Sequence, residues 1–265
     1  MTKIAAVQMI SSTSIDDNIA TARRLITLAA EKGANLVLLP EYWAALEAQD
    51  ADKLANAEEA GHGKIQDFLS GIAKEFGLWL IGGTISIKSD VPGKVLNTTM
   101  VYNPQGENIA RYDKIHLFSF RKGDESYDES RNIAHGDSVV TFETPFGRVG
   151  LSVCYDLRFP ELYRAMGTCT VMVMPAAFVY TTGRAHWEIL LRARAIENQC
   201  YLLASGQGGK HETGRRTWGH SMVINPWGDI VDVLPEGEGV VIGELELDKM
   251  GDIRERLPAL KHRKL

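Results

Sequence analysis

The sequence predicts an α/β fold in which two mixed β-sheets pack face to face with helices outside, a four-layer αββα sandwich. Three observations carry that prediction. Apolar runs of strand length alternate with helix-period segments at the start of the chain. Paired strand runs joined by tight turn signals follow in the middle and near the end. No linker, repeat or low-complexity stretch divides the 265 residues. βα units call for parallel pairs with helices on the sheet faces, whereas hairpins add antiparallel pairs. A doubly wound parallel sheet is the alternative.

Lys3 to Met9 is an apolar run of strand length. Ile15 to Lys32 is helical in period, with Ile15, Ile19, Ala22, Ile26 and Ala29 on one face, and Ser14 with Asp17 supplies a capping pair at its start. NLVLLP is a strand ended by Pro40 and Glu41. Lys64 to Phe76 is a second helix and Leu78 to Ile87 a further strand, which completes a βαβα opening. In VLNTTMVYNPQGENIARYDKI two strands meet at Asn103-Pro104-Gln105-Gly106, a hairpin signal. TPFG at 144–147 then leads into VGLSVCYDLRF. Phe159 to Met166 reads as a short helix, Val171 to Met174 as a buried strand, and Ala185 to Asn198 as a longer helix with Trp187, Leu190, Leu191 and Ala195 inward. Cys200 to Ser205, Ser221 to Ile224 and Ile230 to Leu234 complete the strands, with NPWG at 225–228 as the last hairpin turn.

With 45% hydrophobic and 24% charged residues, the chain can bury a substantial core as one domain over 1–265. A formal charge of -5 and dispersed basic residues argue against nucleic acid, and the cluster from Lys261 to Lys264 reads as a solvated end. No segment approaches the ~18 consecutive apolar residues of a membrane helix. MTKIAAVQMI has no signal h-region or cleavage site, so the expectation is a cytoplasmic protein without a membrane partner. The three cysteines are far apart with no CxxC, and the seven histidines show no HExxH; neither a metal nor another cofactor is expected. GQGG at 206–209 lacks the Gly-Lys-Ser/Thr of a phosphate loop and reads as a turn.

Reactive groups in such folds tend to sit just beyond the carboxyl ends of strands. That filter selects Glu41 after NLVLLP, Lys114 in RYDKIHLF, and Cys154 after VGLSV. A thiol, a carboxylate and an ammonium together make an acyl-transfer apparatus: nucleophile, proton carrier and oxyanion partner. Taken singly, each has a plainer reading: Glu41 as a solvated strand terminus, Lys114 as a surface lysine, Cys154 as a buried structural thiol. Cys169 and Cys200 open apolar runs and read as core residues.

LLPE at 38–41, RYDKIHLF at 111–118, GLSVCYDLRFPEL at 150–162, AHWEILLRARAIENQ at 185–199 and WGHSMVINPWG at 218–228 together resemble the carbon-nitrogen hydrolases of the nitrilase superfamily. The likeness runs in order from AAVQM to the final RLPAL. It implies an αββα sandwich and a Glu-Lys-Cys triad on Glu41, Lys114 and Cys154. It also implies a homodimer or higher homo-oligomer, with the C-terminal tail from about 248 to 265 at a subunit interface. A second glutamate of the family maps onto Glu129; Glu125, also followed by Ser, is the rival, and the spacing to His135-Gly136-Asp137 favours Glu129.

Amide hydrolysis needs a strong nucleophile, a proton donor to nitrogen and oxyanion stabilisation. Lys114 and a tight turn after Cys154 would favour the thiolate, with the N–H of Tyr155 as a second oxyanion donor. Burial should raise the pKa of Glu41 and Lys114 lower it, so the net sign stays open. Within the superfamily the strings are most similar to the deaminated-glutathione amidase and omega-amidase branch. The implied reaction is thiol-dependent hydrolysis, through a Cys154 thioester, of a small α-keto acid amide such as deaminated glutathione or, alternatively, α-ketoglutaramate. Hydrolysis of N-carbamoyl amines or nitriles, or an inactive binding protein of the same fold, are the alternatives. For an anionic substrate, Arg158 and Arg184 are candidate anchors, Arg215 and Arg216 more remote ones, and Tyr42 and Phe178 candidate walls; each arginine reads equally as half of a structural ion pair, such as Arg158 with Glu161.

Overall fold

The computed structural model describes residues 1–47, 50–123 and 125–264, and all their side chains except those of Asp50 and Glu125. The chain opens with β1 (Lys3–Gln8), α1 (Ile15–Glu31) and β2 (Leu36–Leu38). Ser14 caps α1, its hydroxyl accepting the N–H of Asp17 at 3.3 Å. After the short α2 (Asp50–Ala55), α3 (Lys64–Phe76) ends on Gly77 in the left-handed conformation, φ 62°. The single strand expected from Leu78 to Ile87 is two, β3 (Trp79–Ile81) and β4 (Ile85–Lys88). Gly82 and Gly83 interrupt it. Gly83 has φ +56°, and a Cβ there would lie 2.1 Å from the carbonyl of Pro40. Glycine thus lets the chain turn against the loop that carries Glu41.

β5 (Val95–Tyr102) and β6 (Asn108–Asp113) form the hairpin expected around Asn103 to Gly106. The segment read as an acidic loop contains a separate small hairpin, β7 (Ser119–Lys122) with β8 (Glu125–Asp128), followed by β9 (Ile133–Ala134). β10 (Thr141–Thr144) and β11 (Gly147–Leu151) turn at TPFG, and a 3-10 turn over Cys154–Arg158 leads into α4 (Pro160–Ala165). β12 (Val171–Ala176) precedes α5 (Tyr180–Asn198), which starts at Tyr180 rather than Ala185. The early turn of α5 contains Gly183, where a Cβ would meet Trp218 at 2.3 Å, so tertiary packing overrides poor helix propensity. β13 (Tyr201–Gly206), β14 (Ser221–Ile224) and β15 (Ile230–Leu234) complete one sheet. β16 (Gly239–Glu244) and α6 (Leu247–Arg256) carry no clear period in the sequence: β16 is an edge strand between glycines, and α6 buries only Met250.

Among the described residues one sheet has the order β16-β1-β2-β3-β5-β4, with β6 and β9 also on β5, and the other β10-β11-β12-β13-β14-β15. Both mix parallel and antiparallel pairs. Alternation along β1 shows the layering. Ile4 and Ala6 face the second sheet and share a core with Leu151, Val173 and Leu203, whereas Ala5 and Val7 face outward and share one with Leu25 and Ile26 of α1 and Leu69 and Ile72 of α3. On the far side, Trp187, Leu191 and Ala195 of α5 cover the second sheet. The layers are therefore α, β, β, α. Among the described residues no helix is long and apolar enough to cross a membrane.

Candidate active site

Three chain segments bring the polar groups together, each just past a strand. Glu41 follows β2, its backbone held by Gln207 (Nε2 to Glu41 O, 3.1 Å). Lys114 follows β6, with its N–H on Asn97 O and its carbonyl accepting Gly136 N–H, both 2.9 Å. Cys154 opens the 3-10 turn after β11 at φ 49°, a left-handed conformation that a non-glycine residue adopts only under constraint. The constraint is Asp156. Fully buried, its carboxylate accepts the N–H of Val153 (2.8 Å), the hydroxyl of Tyr112 (2.6 Å) and the N–H of His116 (3.1 Å), with His116 Nδ1 at 2.7 Å. One carboxylate thus ties the sharp strand-to-turn bend around Cys154 to the end of β6.

Glu41, Lys114 and Cys154 converge. Lys114 is fully buried and its Nζ donates to Glu41 Oε1 at 2.9 Å and to both oxygens of Glu129 at 2.8 and 3.0 Å. The other oxygen of Glu41 accepts the N–H of Ala177 at 2.7 Å, and Glu41 and Cys154 line the same cleft. Burial works against the Glu41 carboxylate, but Lys114 and these donors outweigh it and hold it below the usual glutamate range. Burial also disfavours the Lys114 ammonium, yet Glu129 and Glu41 raise its pKa above the usual lysine value. For Cys154, burial and the neighbouring Glu41 push the thiol well above its ordinary value, more than Lys114 lowers it. The resting arrangement is carboxylate, ammonium and neutral thiol. Lys114 does lower the thiol pKa, as the sequence suggests, but burial and two carboxylates, Glu41 and Glu129, outweigh it.

Glu129, on a 3-10 turn after β8, is the glutamate brought to Lys114, and it also accepts the N–H of Phe118 (2.7 Å) and the hydroxyl of Tyr42 (2.9 Å). The backbone of Glu125 pairs with Lys122 at the far end of the hairpin; its side chain lies outside the described residues. Tyr42, at φ 54°, donates to Glu129 and lines the outer cavity rather than the cleft over Cys154. Tyr155 and Phe178 line the cleft over Cys154. Arg158 lies over both of those rings, 5.7 and 5.4 Å from their centroids, with Nη1 3.3 Å from His186 Nδ1 and no ion pair to Glu161 among the described residues. Arg184 is exposed on α5 and lines no cavity beside Cys154, so the structure removes it from the candidates: the early start of α5 turns it outward. Arg216 pairs with Glu236 and covers Tyr180. Arg215 does line the cleft, with Nη2 on Ala177 O at 3.0 Å.

Sequence reasoning missed two residues at the site. Asn97 donates its Nδ2 to Glu41 Oε1 (3.0 Å) and to the Tyr42 hydroxyl (3.1 Å). The signal was the unbroken polar run Asn97-Thr98-Thr99 in a strand whose every residue there is buried. Asp156 was visible only as a charged residue out of place. The cleft at Cys154 encloses about 10 Å³, room for roughly one water. Beyond Glu129 and Phe118 it abuts an outer cavity of about 480 Å³.

A carbon-nitrogen hydrolase family model matches residues 3–255. A deaminated glutathione amidase of Synechocystis sp. (strain PCC 6803 / GT-S) is 40% identical over 265 residues, covering 98% of this chain and 97% of that protein. Omega-amidase NIT2 of Homo sapiens is 38% identical over 270 residues, covering 99% and 95%. Among solved structures, Nit3 of Saccharomyces cerevisiae, a member of branch 10 of the nitrilase superfamily, superposes with a TM-score of 0.88 at 30% identity, covering 100% of this chain and 97% of that one. The NitFhit protein of C. elegans gives 0.89 at 34% identity, covering 99% of this chain, which spans 65% of that longer chain.

Proposed function

Because the chain belongs to the carbon-nitrogen hydrolase family, whose members cleave C–N bonds other than peptide bonds, we propose that it is a cysteine amidase acting on a small α-keto acid amide such as deaminated glutathione. The observation that carries this reading is the meeting of Glu41 and Cys154 in one buried cleft, with the Glu41 carboxylate 2.9 Å from the Lys114 ammonium. In the proposed cycle Cys154 Sγ attacks the amide carbon while Glu41 takes the thiol proton, so charge never rests on the sulfur. The oxyanion forms against Lys114 Nζ, of which Glu41 and Glu129 engage at least two hydrogens, and against the N–H of Tyr155. Glu41 returns its proton to nitrogen as the C–N bond breaks, leaving a thioester. Water then attacks, Glu41 takes its proton, and the C–S bond breaks with the proton returned to sulfur. Glu129 holds Lys114, and Asn97 and Ala177 hold Glu41 in register with the sulfur.

The omega-amidase relatives make α-ketoglutaramate the second substrate to test. Steady-state kinetics on deaminated glutathione, α-ketoglutaramate, an N-carbamoyl amine and a nitrile decide the reading. Turnover confined to the α-keto amides supports it, and turnover of only the carbamoyl amine or the nitrile overturns the substrate class. We extend the proposal to a single domain over 1–265 forming a homodimer in the cytoplasm. Three unpaired cysteines fit a reducing compartment, and the exposed Ile189 and Ile196 of α5, together with the exposed Trp227, fit a subunit contact. The tail from 248 is partly anchored to its own chain, Arg254 donating to the carbonyls of Gln199 and Cys169. Light scattering of the native protein tests the dimer.

A further inference from the structure

We propose that Gln207 is the positioning residue that sets the general base Glu41 against the nucleophile Cys154, its side-chain amide tying the loop after β2 to the opposite sheet. The inference rests on the amidase reading above, in which Glu41 exchanges protons with the sulfur.

The site is divided between the two sheets. Glu41 and Lys114 follow β2 and β6 of the first, whereas Cys154 follows β11 of the second. Sheets packed face to face stand about 10 Å apart, so a carboxylate on one and a thiol on the other keep a working separation only where something bridges the gap. Asp156 bridges it on the Lys114 side, through Tyr112 and His116. On the Glu41 side, Tyr42 N–H donates to the hydroxyl of Thr84 at 3.0 Å, which holds the loop within its own sheet.

The crossing is made at GQGG. β11, β12 and β13 run side by side in parallel, and Cys154, Ala177 and Gln207 lie just past their carboxyl ends. Here the sheets close up: a Cβ on Gly208 would lie 2.5 Å from Gln8 and one on Gly209 2.7 Å from Ile10. The backbones therefore meet directly, Gly208 N–H donating to Met9 O at 2.8 Å. Gln207 is fully buried and its side chain bonds across the gap. Its Oε1 accepts the N–H of Ser11 (3.0 Å), and its Nε2 donates to the Ser11 hydroxyl (2.8 Å) and to Glu41 O (3.1 Å). The N–H of Ser11 requires an acceptor, which fixes the way the amide faces and aims Nε2 at Glu41. Ser11 in turn donates its hydroxyl to Trp43 O at 2.8 Å, so the loop is held at two points. The backbone N–H of Gln207 donates to Ala176 O (2.8 Å), and the next residue, Ala177, gives its N–H to Glu41 Oε2. Both the peptide and the carboxylate of Glu41 are thus referred to the strand ends beside Cys154.

Gln207→Met keeps the length of the side chain and removes its hydrogen bonds. Gln8→Met is the control. Gln8 is also fully buried, accepts the N–H and the hydroxyl of Ser221 and donates to Gly237 O, and has no bond to the Glu41 loop among the described residues. With deaminated glutathione, Gln207→Met should lower kcat about 100-fold and leave KM within about threefold, the effect of a base displaced by about 1 Å, whereas Gln8→Met should keep both within about threefold. Loosened from Lys114 and Ala177, Glu41 should take up its proton at higher pH, so the acid limb of kcat/KM moves up in Gln207→Met alone. Alkylation of Cys154 by iodoacetamide, followed on that peptide by mass spectrometry, should slow at least about tenfold in Gln207→Met and not in Gln8→Met. If Gln207→Met does not fold, Ser11→Ala, which removes the hydroxyl between Gln207 and Trp43, should show the same changes at smaller size. A wild-type kcat and acid limb in the folded variant, or equal losses in both glutamine variants, overturns the positioning role. Failure of the wild type on every α-keto amide overturns the substrate reading instead, and the alkylation rates then decide the role of Gln207.

Discussion

Lys114→Met tests the buried charge cluster directly. Lys114 is fully buried, Glu41 is 1% and Glu129 16% exposed at the side chain, and the ammonium lies within 3.0 Å of oxygens from both. Removing it leaves two carboxylates uncompensated in a site that water scarcely reaches. Breaking a buried pair from one side costs about 3–5 kcal/mol. With about 2–4 °C per kcal/mol for a chain of this size, the melting point should fall by roughly 10 °C. The loss has a pH signature. In the wild type the pKa of Glu41 is depressed, so its stabilisation is present above the unfolded pKa and is lost as pH falls through the folded one. In the variant, burial and Glu129 push Glu41 upward, so acid relieves the strain by protonation. The wild-type advantage, measured by guanidinium unfolding, should be widest near pH 8 and narrow toward pH 5. Adding Glu41→Gln to Lys114→Met should restore part of the stability. A loss under about 1 kcal/mol at pH 7, or one that does not vary with pH, would refute the charge assignment.

Three further outcomes follow from the same geometry. Asp156→Asn weakens four contacts around the Cys154 turn; unfolding should show a loss of about 1.5–3 kcal/mol, with kcat falling more than KM rises, and a wild-type kcat would remove Asp156 from any positioning role. Gly83→Ala forces a Cβ against Pro40 O in a left-handed conformation and should cost at least about 1 kcal/mol with reduced kcat, whereas an unchanged unfolding midpoint would show the Glu41 loop tolerant of that contact. Glu41 is held below and Cys154 above its ordinary range, so kcat/KM should be level from about pH 6 to about pH 9; an acid limb centred above 6 would mean that burial, not Lys114, governs Glu41.

How much of this was legible in the sequence varied with how local the cause was. The helices at Ile15 and Lys64 and the hairpin at Asn103 to Gly106 follow from period, caps and turn residues within a few positions, and they appear where expected. The break at Gly82-Gly83 does not show as a change in hydrophobicity, because its cause is contact with Pro40 across the sheet. Strand ends located Glu41, Lys114 and Cys154, but the sign of their pKa shifts depended on distances among five segments far apart in the chain. The arginines separate for the same reason. Arg158, Arg184, Arg215 and Arg216 look alike in sequence, and only the starting turn of α5 and the loop before β14 turn one outward, pair another with Glu236 and leave Arg215 in the cavity wall.

The central claim is that Cys154 is the nucleophile, and the most direct measurement is turnover of deaminated glutathione by Cys154→Ala with its circular dichroism matched to wild type. The small change at an already enclosed site should leave the fold intact, and removal of a nucleophile that works as one unit with its base should lower kcat by about 10⁴-fold or more. Activity within tenfold of wild type in the folded variant would contradict thioester chemistry at this residue.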